Sequence, residues 1–290
     1  MTAPRDAPTA SVALLRRYRW WPALWAVVVG NALLGSALTL LAVALLVASP
    51  GTWSPATCVV VAGAGLLWVG GGAIGFHRMY LRRPPLDGRR VAVETLPDGS
   101  RATVLTWSTT LLTVPAATTG GLVVVLLAAA SLQLGDPAPI TWVMVGAAVL
   151  LALPLPDSLL RLRRRPHRLV LDARGVTVHG WDGDGHLAWD DLADVRLGDT
   201  GSWPVLHLLA RPGARSASWR RRGRFLSAPV PGGLGSPQGA VLGVPTPVLD
   251  IDPLFLAGTL LFYAATPGAR HELGDGTART RLVDRVRPVV

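Results

Sequence analysis

The stretch best equipped to bind a ligand is Trp219-Arg220-Arg221-Arg222-Gly223-Arg224-Phe225, four guanidinium groups between two aromatic rings. A second basic run, Arg161, Arg163, Arg164 and Arg165, follows a long apolar segment. Guanidinium groups make short, charge-assisted bonds to phosphate oxygens, and each basic residue close to an anionic lipid surface adds about 1 kcal/mol. Arg161, Arg163, Arg164, Arg165, Trp219, Arg220, Arg221, Arg222 and Arg224 are therefore the candidate contacts for anionic headgroups. The plainer reading of the loop is a solvated charge run that keeps it soluble.

Other chemistries lack their residues. All 28 basic residues are Arg and none is Lys, so neither a Walker A phosphate loop nor a Schiff-base enzyme can operate. The single cysteine, Cys58, excludes an internal disulfide framework and a cysteine-based zinc site, and reads as a small buried hydrophobe. The six histidines show neither zincin nor zinc-finger spacing, no span core holds a His that could face a serine, and G-x-S-x-G is missing. Gly183-Asp184-Gly185-His186-Leu187-Ala188 fits a loose dinucleotide pattern, but it precedes a strand, where the fingerprint needs a helix start. Asp182 and Asp184 open like a calcium loop, yet Leu187 stands at its glycine position and Ala193 at its terminal Glu. The expectation is a non-enzymatic protein with no cofactor and no metal.

The elements that must position the arginines begin with the membrane. Half of the residues are apolar and 16% are charged, against about 25% in an ordinary soluble domain. A helix needs about 20 apolar residues in succession to cross the hydrocarbon core. Four segments qualify, at about 23–47, 55–76, 111–134 and 140–160, making 20–160 a four-helix transmembrane unit after an N-terminal tail at 1–19. Pro115 falls in the first turns of the third span, and Pro154 and Pro156 are expected to kink or end the fourth. The first apolar run is too long for a cleaved signal peptide, whose core is about 7 to 15 residues.

Orientation follows from arginine near the span ends. Fifteen Arg lie before the first span, between the second and third, and just after the fourth, whereas 48–54 and 135–139 hold none. Both termini are therefore expected in the cytoplasm of an inner-membrane, multi-pass protein. The first 165 residues carry 14 Arg and 6 acids and the remainder 14 and 12, so the net charge of +10 belongs to the membrane half and does not indicate nucleic acid. Trp20, Trp21, Trp53, Trp107 and Trp142 are expected at headgroup level. Gly71 and Gly75 form a G-x-x-x-G face that would pack within the bundle or against a second copy or membrane partner. Few polar side chains sit mid-span. Asn31, Ser36, Thr39, Thr118, Thr119 and Gln133 would line any polar path, the mark of the alternative function, a small-solute transporter or channel subunit.

Two regions alternate with strand period. Residues 90–107 read as a cytoplasmic β-hairpin around Pro97-Asp98-Gly99-Ser100, able to rest on the C-terminal domain. After Arg168 come short strands with tight turns, the signature of an antiparallel barrel or sandwich. Residues 211–239 read as a flexible Arg-rich loop. Asp252-Pro253 starts a helix to about Ala265, which is too short for a fifth span, and 267–290 reads as a tail.

The run His167-Arg168-Leu169-Val170-Leu171-Asp172, Gly175-Val176 and Leu187 to Val195 resembles the membrane-flanked, pleckstrin-homology-like (PH-like) domains of multi-pass bacterial membrane proteins, and the Arg, Ala, Gly and Pro bias is of actinobacterial type. The resemblance covers about 166–266. It implies a mainly-β, partly open barrel closed by a C-terminal helix, with Trp189 in the core and no catalytic residues, binding membrane lipids, a peptide or a protein partner.

Overall fold

Each long apolar segment is a helix because lipid-facing backbone must satisfy its own polar groups. The computed structural model describes residues 22–48, 55–77, 89–132, 139–163, 167–181, 183–199, 204–221 and 240–284. The helices are α1 (Pro22–Ala48), α2 (Pro55–Phe76), α3 (Thr110–Ser131), and a fourth split into α4 (Pro139–Ala152) and α5 (Leu155–Arg163). The break falls at Leu153-Pro154, where proline supplies no N–H to continue the helix. Segments long and apolar enough to cross a membrane run Val28–Ala48, Thr57–Ile74, Leu112–Ser131 and Thr141–Arg163. Leu40, Val47, Trp142 and Leu150 are each about two-thirds exposed or more. Apolar surface on that scale suits acyl chains and not water, so the chain is a membrane-embedded protein.

The helices pack in sequence order, α1 on α2, α2 on α3 and α3 on α4, with α5 returning against α3. Glycine allows the first crossing: a Cβ on Gly65 would strike the Gly35 carbonyl and the Thr39 side chain. Gly71 similarly lies against Thr118 of α3, so this half of the G-x-x-x-G face is engaged inside the chain.

The expected hairpin is present as β1 (Val91–Thr95) and β2 (Arg101–Thr106). Its turn is held by Asp98, whose carboxylate accepts from the Ser100 N–H and hydroxyl at 3.1 and 2.6 Å, and by Gly99 at φ 81°. Those bonds hold the Asp98 carboxyl below the usual range. The hairpin does more than rest on the C-terminal region. β2 pairs along its length with β3 (Arg168–Leu171), from Thr103 opposite Leu171 to Thr106 opposite Arg168.

The later strands are β4 (Gly175–His179), β5 (Gly183–Ala188), β6 (Leu192–Asp199), β7 (Pro204–Ala210), β8 (Ser218–Arg221) and β9 (Ala240–Pro245). All pairings are antiparallel, in a six-stranded sheet ordered β1-β2-β3-β4-β5-β8 and a three-stranded sheet ordered β6-β7-β9. Where a partly open barrel closed by a C-terminal helix was expected, the described residues form two open antiparallel sheets. The expected loop at 211–239 contains β8, whose Ser-Trp-Arg-Arg sequence has no alternation and is ordered by pairing with β5.

Between the sheets lies one core, including Leu105, Leu169, Leu171, Val178, Leu187, Leu206, Leu208 and Leu242. Trp189 is fully buried, donates its indole N–H to the Asp172 carbonyl at 2.7 Å and meets the ring of Tyr263, as expected of a core residue. The C-terminal helix α6 (Pro253–Ala265) is capped by Asp252, which accepts from the Leu254 N–H at 2.9 Å, and it packs on β6.

The segment read as a tail from 267 is folded to Asp284. It forms α7 (Glu272–Asp275) and α8 (Thr277–Asp284) and buries Leu273, Ala278 and Leu282 in the core. Arg281 donates twice to the Glu272 carboxylate at 2.7 and 2.9 Å and lies over the Phe262 ring, while the Tyr263 hydroxyl donates to the same carboxylate at 3.1 Å. The Arg281 bonds hold Glu272 below the ordinary range, and burial pushes the Tyr263 phenol up. The same segment grips the hairpin, with Arg279 donating to the Val91 carbonyl at 3.0 Å and Thr103 to the Leu273 carbonyl at 2.8 Å.

Candidate functional site

Sheet register sets which residues lie beside the spans. β2 runs into α3 within a few residues of Thr106, and β3 starts a few residues after α5 ends at Arg163, so one end of the sheet adjoins the helices. The residues level with Thr106 follow by pairing: Arg168 on β3, His179 on β4, Asp184 on β5 and Arg220 on β8. Side chains at directly paired positions share a face, so these form one row across the outer side. Arg168 donates to Glu94 at 2.7 Å, His179 Nδ1 lies 3.0 Å from the Asp184 carboxylate, and Arg220 is exposed opposite Asp184. A second row holds Thr177 bonded to His186 Nδ1 at 2.9 Å, with Ser218 beyond.

Arg220 stands exposed at the span end of the sheet, and Trp219 and Arg221 belong to the same strand. Arg163 is exposed at the end of α5. Arg161 is turned inward, 5% exposed, with its guanidinium 3.0 Å from Asp157 one turn back. A cation so close to an apolar span is retained by pairing, so this arginine is not displayed to a headgroup. Arg164, Arg165, Arg222 and Arg224 lie outside the described residues.

Beneath the row is a buried junction that sequence reasoning did not single out. His167 reaches back with Nε2 3.1 Å from the Arg161 carbonyl. Its ring stacks on Trp107 and meets Trp181 edge-on, and the backbone N–H of Trp107 donates to the His167 carbonyl at 2.9 Å. Trp107 is 3% exposed, so it is a wall of this junction and not the headgroup-level ring expected from its position. Trp142 does face outward, while Trp20, Trp21 and Trp53 lie outside the described residues. Nearby, Arg90 pairs with the buried Asp250. The one available signal was Asp157, the lone acid within the spans, four residues before Arg161.

Among the residues considered for a polar path, Thr39 and Thr118 donate to the carbonyls of Gly35 and Val114 at 2.9 Å, four residues back, and Ser36 is exposed. The side chain of Asn31 and all of Gln133 lie outside the described residues. No group of three His, Cys, Asp or Glu able to hold a metal occurs among the described residues. Gly183–Ala188, the loose dinucleotide pattern, is strand β5.

No family model matches the chain, nor does any curated protein or solved structure. Fold and site define a membrane-embedded protein of four apolar helices with an antiparallel, sheet-rich region attached.

Proposed function

We propose that this is a non-enzymatic, multi-pass protein of the cell (inner) membrane, with both termini cytoplasmic, whose PH-like β region binds anionic lipid headgroups at the inner surface. The observation that carries the reading is the register that sets Arg220 level with Arg168, at the end of the sheet adjoining the spans. Guanidinium groups presented there can make short, charge-assisted bonds to phosphate oxygens. Arg222 and Arg224 follow Arg221 in sequence. Arg163 adds an exposed charge, and Arg164 and Arg165 follow it in sequence. Strands β3 to β9 followed by a helix laid on the sheet agree with the PH-like resemblance in order of elements.

Because β1 and β2 complete the sheet, the test uses the full chain. Short-chain phosphatidylglycerol is titrated against the detergent-solubilised protein, with phosphatidylcholine as the neutral control. Replacing Arg220, Arg221, Arg222 and Arg224 together by Ala is expected to weaken phosphatidylglycerol binding by about fivefold per arginine, while phosphatidylcholine binding stays the same. Unchanged phosphatidylglycerol affinity in the fourfold variant would remove this strand and loop from the contact.

A further inference from the structure

The junction beneath the basic row plays no part in headgroup contact, yet it joins three distant segments to the fourth span. His167 is 6% exposed and stands where that span gives way to β3. The last carbonyls of a helix lack an N–H partner from their own helix, and the His167 ring meets one of them, that of Arg161, at 3.1 Å. The first residue of the sheet region thus caps the last turn of α5. Trp107 covers one face of the ring with centroids 6.4 Å apart, and Trp181 abuts it at 6.3 Å and 90°. The Trp107 indole N–H is buried without a hydrogen-bond partner, the kind of unmet polar group that stable cores avoid.

Charge on this ring is contested. Burial is the largest influence and holds His167 below the ordinary imidazole range, helped by the Arg161 guanidinium. The backbone groups of Arg161 and Gly180 and the Asp184 carboxylate pull the other way. The charged groups facing the ring are Arg161 on α5 and Asp184 on β5, while β2 and the turn after β4 contribute Trp107, Gly180 and Trp181.

We propose that His167 is a pH-sensitive latch between the fourth span and the sheet, holding α5 in place when neutral and releasing it when protonated. The neutral ring needs one proton, on Nε2, to bond the Arg161 carbonyl. A second proton sets a desolvated charge in this buried pocket, beside a guanidinium already committed to Asp157. A histidine whose folded form disfavours the proton contributes stability that is complete above its unfolded value, near 6.5. That stability is lost as pH falls through and below this value. The latch is independent of headgroup binding.

The test is hydrogen exchange of the full chain in nanodiscs at pH 7.5 and 5.5, corrected for intrinsic rates, with β6 and β7 as internal reference. Peptides covering Thr103–Thr110 and Ser158–Val170 are expected to exchange roughly fivefold faster at the lower pH, with the reference strands unchanged. His167→Gln, which retains an N–H donor and cannot be protonated, is expected to abolish the response. An equal response in wild type and His167→Gln, or no response in wild type, would overturn the latch. If His167→Gln has lost protection in β6 and β7 at pH 7.5, Asp184→Asn decides the matter. Removing that carboxylate should move the transition to lower pH, and an unmoved transition would overturn the proposal.

Discussion

Val104→Pro is expected to unfold the sheet-rich region well beyond the hairpin, with the orphaned ladder partner alone costing about 1–3 kcal/mol. Val104 is fully buried in the middle of β2, paired with Ala92 on one side and Val170 on the other. Proline there removes a ladder hydrogen bond and clashes in a central strand. If the hairpin merely rested on a self-sufficient C-terminal domain, damage would stop at β1 and β2. Because β2 is an internal strand, the loss exposes the edge of β3 and breaks the hold of Thr103 on the Leu273 carbonyl. Limited proteolysis of the membrane-inserted chain should show new cleavage in β3, β4 and the α7 to α8 segment. Cleavage confined to 89–107 would contradict a shared sheet.

Asp157→Ala is the second large effect, about 3–5 kcal/mol, because it strands a buried cation. Asp157 and Arg161 are 8% and 5% exposed, at the end of a span where water is scarce. Replacing both, as Asp157→Leu with Arg161→Met, removes the two desolvation penalties together and should recover most of the loss. Thermal unfolding in one detergent, read on the wild type, the single and the double variant, gives the comparison. A single variant as stable as wild type would show that the pair is solvated and that Arg161 is available to headgroups after all.

Local chemistry was legible in the sequence wherever a few neighbouring residues decide the outcome. Apolar length placed the four spans, Pro154 the break in the fourth, Asp98-Gly99-Ser100 the hairpin turn, and Asp252-Pro253 the start of α6. The resemblance placed Trp189 in the core, and it is fully buried. What depends on distant partners was not legible. Nothing in Arg101–Thr106 announces a mate across two membrane spans, and β8 is a strand only because β5 offers it an edge. The C-terminal helices were hidden by spacing, since Leu273, Ala278 and Leu282 do not keep one helical stripe across Gly276, whose φ is 100°. The basic residues were recognisable as a group, but side-chain direction was not. Arg161 turns to Asp157 while Arg220 stays exposed, and only the packing of α5 and the pairing of β8 separate them.

The most direct measurement joins the two segments that the sheet brings together. With Cys58→Ser as background, Thr106→Cys and Arg168→Cys are combined in the full chain and oxidised in native membranes. These residues are directly opposed on β2 and β3, and the Trp107 N–H to His167 carbonyl bond next to them makes theirs the close, non-hydrogen-bonded kind of pair. An intramolecular disulfide should form at high yield, and the partially exposed side chains leave room for it. Two free thiols persisting after oxidation would mean that the segment between the second and third spans and the C-terminal strands are separate, and the membrane-side basic row would lose its frame.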